Sequence, residues 1–501
     1  MLAATIVASS MVFIDGTLVN VALPALQREL AATFSDVQWV VEAYALLLAA
    51  LLLAGGAAGD RFGRRRVFAI GVALFAAASI GCGFAGSVAQ LIAARAIQGI
   101  GGALLVPGSL AIISASFDAG ERGKAIGTWS AATALTTALG PVIGGWLIDH
   151  GSWRAAFLLN VPLAISVLVL TARHVPESRN TGVAGPIDWP GALLATTGLA
   201  AVVYGLIETS TRGFGDVRVV VGVVAGVIAL AGFVVVERRQ ASPMLPLQLF
   251  RARAFTGTNV LTLLLYAALG GGLFFVPLDL IEVQHYSATA AGAALLPLVV
   301  LLAALSRWSG GLVNRHGARL PLVVGPIIAG CGFALFAVPG VGGSYWTTFF
   351  PAIVVLGVGL GITVAPLTTT VMNAVPQDFV GAASGINNAA SRVAGLLAVA
   401  VFGVIMLPIF ERGLAERLDR ALVAPEVAQA VARQRGKLAA IELPTTLDAR
   451  DKAAAERAIA DAFVTGFRAI MLVSAALALA GAASGWLAVS TAGVTPIEDV
   501  R

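Results

Sequence analysis

The chain has 501 residues, of which 58% are apolar and only 12% are charged, and its mean hydropathy is +0.90. Soluble proteins carry roughly 25% charged residues, and a soluble chain of this length would need several domains, each with a polar surface. The composition therefore excludes a soluble protein and indicates that lipid surrounds most side chains. The net charge is +5, but the basic residues lie in short runs between apolar stretches, which is typical of membrane orientation rather than of nucleic-acid binding.

Fourteen apolar stretches are each long enough to cross a membrane as a helix, which takes roughly 17–25 residues. They predict an all-α integral membrane protein. The first stretch contains Asp15 and has no basic residues before it, so we expect a retained helix rather than a cleaved signal peptide. The stretches lie at 1–23, 36–58, 67–86, 91–114, 124–147, 155–172, 189–207, 218–236, 256–277, 289–309, 320–338, 346–371, 383–408 and 466–489.

The loop charges predict an orientation in the membrane. With the N-terminus inside, the short inner loops hold fourteen basic residues and the short outer loops hold four. The positive-inside rule therefore places both termini in the cytoplasm, with the chain in the cytoplasmic membrane. The polar segment 410–465 becomes a long outer loop with short amphipathic helices, either a solvated connector or a gate or partner-docking segment. The four outer basic residues are Arg28, Arg154, Arg212 and Arg218.

A weak internal repeat divides the chain into two halves. The pattern G-x-x-x-D-R-F-G-R-R at 56–65 recurs as G-x-x-x-N-R-H-G-A-R at 310–319, and Gly123-x-x-x-Gly127 recurs as Gly381-x-x-x-Gly385. Such paired halves are a transporter architecture in which the substrate path lies between them. We predict an N-terminal six-helix half at 1–174, two extra helices with inner loops at 175–255, and a C-terminal six-helix half at 256–501.

The run at 56–66 is the most specific motif. Its glycines allow a tight turn, and its aspartate can pair with arginines and cap the next helix, so we expect a conformational latch that does not touch substrate. The run resembles the signature loop between helices 2 and 3 of the major facilitator superfamily. The resemblance implies that family's fold. The latch residues are Gly56, Asp60, Arg61, Gly63, Arg64 and Arg65.

Further motifs resemble those of the fourteen-helix drug:proton antiporters within that superfamily. The stretches 15–24, 95–102 and 127–145 resemble their motifs in helices 1, 4 and 5, although Thr136 stands where the helix 5 motif usually has glycine. The resemblance implies an exporter driven by the proton motive force, and it associates Arg95 with proton transfer. The helix 5 residues, expected to kink the helix and seal the leak path, are Gly127, Gly140, Pro141, Gly144 and Gly145.

Several charged residues inside apolar stretches need an explanation, because a charge at mid-membrane costs about 2.5–3.5 kcal/mol even on lenient scales. Asp15 on an outward-running helix and Arg95 on an inward-running helix lie at comparable depth. We hypothesise that they share a cavity wall and couple proton binding to transport; a permanently ionised structural pair is the alternative. Glu42 is a second candidate, unless it reaches interfacial water. The remaining cavity candidates are Asn20, Gln98, Asn387, Asn388 and Arg392.

Acidic residues near outer helix ends are expected to be solvated; these are Glu208, Asp279 and Glu282. Cys82 and Cys331 each lie alone in an apolar segment, so neither a disulfide framework nor a metal site is predicted. No G-x-x-x-x-G-K-[ST] or H-E-x-x-H motif occurs. We therefore expect no enzymatic activity, no metal and no cofactor.

The prediction for function is a proton-driven exporter of small amphipathic compounds, cationic ones included. It works by alternating access as a monomer in the lipid bilayer and does not bind nucleic acid. Export of a neutral lipid or a lipophilic natural product is the first alternative, because few acids lie deep in the membrane. A non-antiport permease or a non-transporting scaffold is the second.

Overall fold

The computed structural model describes residues 1–179, 188–240, 243–313, 317–376, 379–421, 423–444 and 447–489, and these are almost entirely helical. Asn314 to His316 of the second repeat lie outside this range. The helices are α1 (Leu2–Glu29), α2 (Phe34–Phe62), α3 (Arg64–Gly83), α4 (Val88–Ser116), α5 (Ala119–His150), α6 (Trp153–Leu158), α7 (Asn160–His174), α8 (Trp189–Arg212), α9 (Val217–Arg239), α10 (Arg253–Leu278), α11 (Ala288–Ala294), α12 (Leu296–Gly310), α13 (Arg319–Phe336), α14 (Phe349–Asn373), α15 (Val380–Ala421), α16 (Pro425–Arg433) and α17 (Ala449–Ala488).

The described residues contain fourteen helical segments that are long and apolar enough to cross a membrane, which confirms the predicted fold class. Two of these segments are broken helices. The pair α6 and α7 forms one of them, and α11 and α12 form another, where Pro297 is the second residue of α12. Proline lacks an N–H group and fits the first turn of a helix, so a new helix starts there.

The predicted outer loop at 410–465 is shorter than expected. Helix α15 has 42 residues and runs through Pro408 to Ala421, and α17 has 40 residues and begins at Ala449, so much of this segment extends two membrane helices. The extensions carry an apolar stripe: Leu414 and Leu418 are buried in the same cluster as Ile459. A helix can extend beyond the membrane as long as one of its faces is apolar and buried against a neighbour. The length of an uninterrupted apolar stretch does not reveal such an extension. The expected short amphipathic helix is α16.

The two halves predicted from the sequence comprise α1–α7 and α10–α17. They meet where α1 and α2 face α10 and α15, and where α5 packs against α11. Phe34 of α2 lies against Phe274 and Phe275 of α10, with ring centroids 6.1 and 5.7 Å apart. Gly270 of α10 faces Gly395 of α15 so closely that a Cβ on Gly270 would lie 2.7 Å from the Gly395 Cα. The extra pair α8 and α9 packs beside α2 and α15, and α9 exposes most of its aliphatic side chains. Following the orientation predicted from the loop charges, we call the end of the bundle that carries Asp149 the outer end.

Candidate functional site

Asp15 and Arg95 form an ion pair in the interior of the first half. Asp15 is 2% exposed and Arg95 is fully buried, and the arginine Nη1 donates to the aspartate Oδ2. The other carboxylate oxygen accepts from Gln98 Nε2 at 2.8 Å and from Asn160 Nδ2 at 3.0 Å. Ser79 Oγ accepts from both amides, at 2.9 and 3.3 Å. Helices α1, α3, α4 and α7 thus contribute to one polar network, in which the buried Arg95 Nη2 has no hydrogen-bond partner among the described residues.

Arg95 is held on several sides besides its ion pair. Its Nε donates to the backbone oxygen of Val40 at 3.0 Å, and its Nη1 also donates to Gln98 Oε1 at 2.7 Å. The guanidinium lies 4.2 Å from the ring centroid of Tyr44 and 5.7 Å from that of Phe157, within the range of cation–π attraction. Removing either member of such a buried pair leaves an uncompensated charge, which costs about 3–5 kcal/mol.

The close approach of α4 to α2 makes this arrangement possible. A Cβ on Gly99 would lie 2.5 Å from the backbone oxygen of Tyr44, so only glycine fits at that position. The tight packing brings the arginine one turn earlier within reach of the Val40 carbonyl.

A cavity of about 340 Å³ lies between the two halves, next to this network. Helices α1, α2 and α4 form one wall, and α10 and α15 form the other. The lining is mostly aliphatic and aromatic. Its polar members are Asn20, Glu42, Tyr44, Arg95, Tyr266, Ser391 and Arg392.

Glu42 and Arg392 have no hydrogen-bond partner among the described residues. Glu42 is 1% exposed, and neither of its carboxylate oxygens is bonded. The alternative that Glu42 reaches interfacial water is therefore wrong. Arg392 also lines the cavity, and its buried Nε lacks an acceptor. Each half thus presents one unpaired ionisable side chain to the same space.

The other second-half candidates lie apart from this cavity. Asn387 Nδ2 donates to Thr262 Oγ1 at 2.7 Å and to Asn259 Oδ1 at 3.3 Å, so it joins α15 to α10. Asn388 is exposed, and its backbone oxygen accepts from Ser391 Oγ. We predicted from the sequence that both asparagines line the cavity, but neither is among its lining residues in the structure.

Glycines of the helix 5 motif press α5 against α1. A Cβ on Gly140 would lie 2.3 Å from Thr17 Oγ1, and one on Gly144 would lie 2.4 Å from Leu18 Cγ. Gly127, nearer the inner end, has nothing within 4 Å of its Cβ position. The motif therefore supports close packing only in the outer part of α5.

The outer end of α5 also packs against the second half. A Cβ on Gly145 would lie 2.3 Å from the Ala288 backbone oxygen, and one on Gly292 would lie 2.3 Å from the Pro141 backbone oxygen. Helices α5 and α11 are thus in backbone contact, which closes the outer end of the interface at this point.

Comparison with known proteins identifies the family. The model of the Major Facilitator Superfamily matches residues 5–399. The chain belongs to this superfamily. It is 35% identical over 492 residues to the tetracenomycin C resistance and export protein of Streptomyces glaucescens, covering 96% of this chain and 90% of that protein. It is 34% identical over 489 residues to the multidrug resistance protein Stp of Mycobacterium tuberculosis, covering 95% and 89%.

Solved structures show the same fold. A bacterial homolog of the human lysosomal transporter Spinster, in an inward-facing and unoccupied conformation, superposes with a TM-score of 0.68 at 17% identity, covering 97% of this chain and 96% of that one. The protein is therefore a multi-pass membrane transporter of the superfamily and not an enzyme, as the sequence motifs predicted.

Among the described residues, the superfamily's signature loop bonds to α4 and to the segment that follows α7. Arg64 pairs with Asp60 at 2.8 Å and donates to the Ala111 backbone oxygen at 3.4 Å. The Arg65 backbone N–H donates to Glu177 at 3.1 Å. Gly63 has a φ of +112°, a conformation that glycine adopts at little cost.

The other predicted latch residues lie at the edge of this loop. Gly56 lies next to Pro107 of α4, with a Cβ position 3.5 Å from the proline Cβ. Arg61 is exposed and lies over the Phe62 ring. Glu177, which accepts the hydrogen bond from the loop, was not predicted as a functional residue. A single acidic residue after a helix does not differ in sequence from an ordinary surface residue.

Asp149 is a further contact between the halves that the sequence did not reveal. Its carboxylate accepts from the backbone N–H groups of Ala288 and Thr289 at 3.0 and 2.9 Å, and from Thr289 Oγ1 at 2.6 Å. The end of α5 therefore caps the first turn of α11 in the other half. An aspartate at a helix end looks like an ordinary solvated residue until its partner is known.

The expectation of solvated acids near the outer end is wrong for Asp279. Its side chain is 1% exposed, its Oδ2 accepts from Gln284 Nε2 at 3.2 Å, and its Oδ1 has no partner among the described residues. Glu282 pairs with Arg28 of the first half at 3.3 Å. Glu208 pairs with Arg212 at 2.7 Å, near the end of α8.

The connecting segment between α16 and α17 covers the outer end of the interface. Gln27 Nε2 of α1 donates to the Lys437 backbone oxygen at 3.0 Å. Leu438 is 2% exposed, with a φ of +53°, and it lies in the large apolar cluster shared by both halves. Side chains of this type occupy such a backbone conformation only when their surroundings enforce it.

Proposed function

We propose that the protein is a proton-driven exporter that moves amphipathic or lipophilic small molecules out of the cytoplasm by alternating access. Its relatives in Streptomyces glaucescens and Mycobacterium tuberculosis are a resistance and export protein and a multidrug resistance protein, which supports export as the direction of transport. The observation that carries the proposal is the Asp15–Arg95 ion pair beside a mostly apolar cavity between the halves.

The ion pair can link proton binding to a change of conformation. When a proton binds Asp15, the attraction to Arg95 falls, and the buried guanidinium must find other acceptors. Gln98 and Asn160, which donate to the carboxylate, lose the charge that orders them. The halves therefore prefer different arrangements with and without the proton, which is what coupled transport requires.

The outer contacts define the second part of the cycle. Substrate enters the cavity from the inner side while α5 and α11 are joined at the outer end. Release to the outside requires that the Asp149 cap and the Gly145 contact separate. Both contacts lie between the halves, so they break as the halves rock.

The experiment uses proteoliposomes with an imposed pH gradient, with tetracenomycin C and ethidium as test compounds. The wild-type protein should transport at least one of them in a gradient-dependent manner, and Asp15→Asn should lose most of that transport. Asp216→Asn is the matched control, because Asp216 caps α9 and asparagine caps a helix equally well. Full gradient-driven transport by Asp15→Asn would overturn the coupling role. Transport of either compound at a rate that the pH gradient does not change would overturn proton antiport.

A further inference from the structure

The central cavity contains an acid and an arginine that form no part of the polar network around Asp15. Glu42 comes from α2 in the first half and Arg392 from α15 in the second. Neither has a hydrogen-bond partner or an ion pair in the described part of the chain. Buried polar groups are nearly always bonded, so two free groups facing one cavity indicate a ligand that bonds both.

Arg392 forms no ion pair with any acid among the described residues. Asp15, the acid of the polar network beside the cavity, is already bound by Arg95, Gln98 and Asn160. Glu42 forms no ion pair with Arg392. A buried guanidinium needs an anion or several acceptor oxygens, and its planar fork binds two oxygens of a carboxylate or of adjacent ring substituents. This geometry favours an acidic or oxygen-rich group on the ligand.

Glu42 requires a hydrogen-bond donor on the ligand. Its two unbonded oxygens can accept a hydrogen bond from a hydroxyl or amide of a ligand. A lipophilic cation without N–H or O–H groups can form a hydrogen bond with neither side chain, and it meets the positive charge of Arg392.

The apolar residues of the cavity lining indicate which chemical groups the rest of the ligand contains. Tyr266, Leu269, Leu273 and Phe274 of α10 offer aromatic and aliphatic surface. Flat rings stack well on such walls. The volume of about 340 Å³ lies at the small end of the range for drug-sized ligands.

We propose that the substrate is an amphipathic aromatic weak acid whose acidic oxygens pair with Arg392 while a hydroxyl hydrogen is donated to Glu42. This inference rests on the proposed export function, because it takes the cavity as the transport site. It narrows the substrates from amphipathic compounds in general to those with an acidic group, and it disfavours permanent cations.

The test is equilibrium binding to the protein in lipid nanodiscs, without any ion gradient. The probes are rhein, a dihydroxyanthraquinone carboxylic acid, and tetraphenylphosphonium, a lipophilic cation without hydrogen-bond donors. Rhein should bind the wild-type protein more tightly than tetraphenylphosphonium does. Arg392→Gln should weaken rhein binding by about 10- to 100-fold, the range for hydrogen bonds to charged groups. Arg392→Lys, which keeps the charge, should retain most of the affinity.

Arg319→Gln is the matched control. Arg319 is also partly buried in a membrane segment and has an unbonded Nε, but it lies over the Trp486 ring and does not line the cavity. Its substitution should leave rhein binding unchanged. Equal rhein affinity in wild type and Arg392→Gln, tighter binding of tetraphenylphosphonium than of rhein, or no rhein binding to the wild type would each overturn the proposal.

The comparison of the two probes on the wild-type protein needs no variant, so it stands even if Arg392→Gln does not fold. Because no gradient is present, a failure of proton coupling leaves these results unchanged. Conversely, gradient-driven transport of a cation with no rhein binding would refute the acidic substrate and leave the export function intact.

Discussion

Gly145 on α5 lies against the backbone of the second half, where a Cβ would be 2.3 Å from the Ala288 oxygen. A backbone atom cannot move aside as a side chain can, so Gly145→Ala should push α5 away from α11 at the outer end. We expect the variant to favour the outward-open state and to transport substrate much more slowly. Spin-label distances between the outer ends of the two halves measure the shift.

Gly123→Ala is the control for this substitution. It introduces the same methyl group on the same helix, but nothing lies within 4 Å of its Cβ position. The distances and the transport rate should match those of the wild type. If Gly145→Ala behaves like Gly123→Ala, the outer contact does not set the conformation.

The residues of the polar network differ in how well they could be predicted. Asp15 and Arg95 stand out because charges inside an apolar run are rare and costly. Ser79 and Tyr44 carry no such signal, since serine and tyrosine occur in many helices for ordinary packing reasons, and only their neighbours give them a role. Asp279 shows the opposite failure: its position at a helix end predicted solvation, but a neighbouring element covers it.

At the scale of elements, the hydrogen bonds from the first turn of α11 to Asp149 are the clearest contact that stabilises the closed outer end. Loss of a helix cap costs about 1 kcal/mol, which corresponds to a shift of about fivefold in an equilibrium. Asp149→Ala should therefore raise the outward-open population by about that factor. The measurement is labelling of a reporter, Leu273→Cys in the cavity wall, by a membrane-impermeant maleimide added on the outer side.

Asp149→Asn tests whether the cap itself is responsible. Aspartate accepts with both carboxylate oxygens here, whereas asparagine has one acceptor oxygen and keeps only part of these bonds. Its labelling rate should therefore lie between those of the parent protein and of Asp149→Ala. Cys331 is replaced by alanine in all variants, and Cys82 is buried and does not compete for the reagent. Identical labelling of Asp149→Ala and the parent would show that the cap does not hold the outer end closed.

The membrane helices were predictable because each crossing requires about 20 apolar residues, and the chain contains little else. The extensions of α15 and α17 were not, because they are held by a narrow apolar stripe such as Leu414 and Leu418 within a polar sequence. Contacts such as the cap of α11 depend on which element of one half meets which element of the other. That pairing is a property of the assembled fold, and no local pattern encodes it.

At the scale of the whole molecule, the segment around Leu438 occupies the outer end of the interface between the halves. It belongs to the second half, yet it is bonded to α1 of the first half through Gln27 and the Lys437 carbonyl. Alternating access requires the outer ends to separate, so this contact must break once in every cycle. A covalent link across it should therefore trap the protein with its outer end closed.

The prediction is that Gln27→Cys combined with Lys437→Cys, joined by a short thiol-specific cross-linker, stops transport and that cleavage of the linker restores it. The matched control is Glu411→Cys with Arg435→Cys. These residues form an ion pair at 3.2 Å that connects the same segment to α15 within the second half. Cross-linking them restrains the segment equally but does not join the halves, so transport should continue. If the protein cross-linked between positions 27 and 437 still transports, the segment moves with α1 and does not act as a gate. If both cross-linked pairs lose transport, the mobility of the segment limits the cycle, and its release from α1 does not.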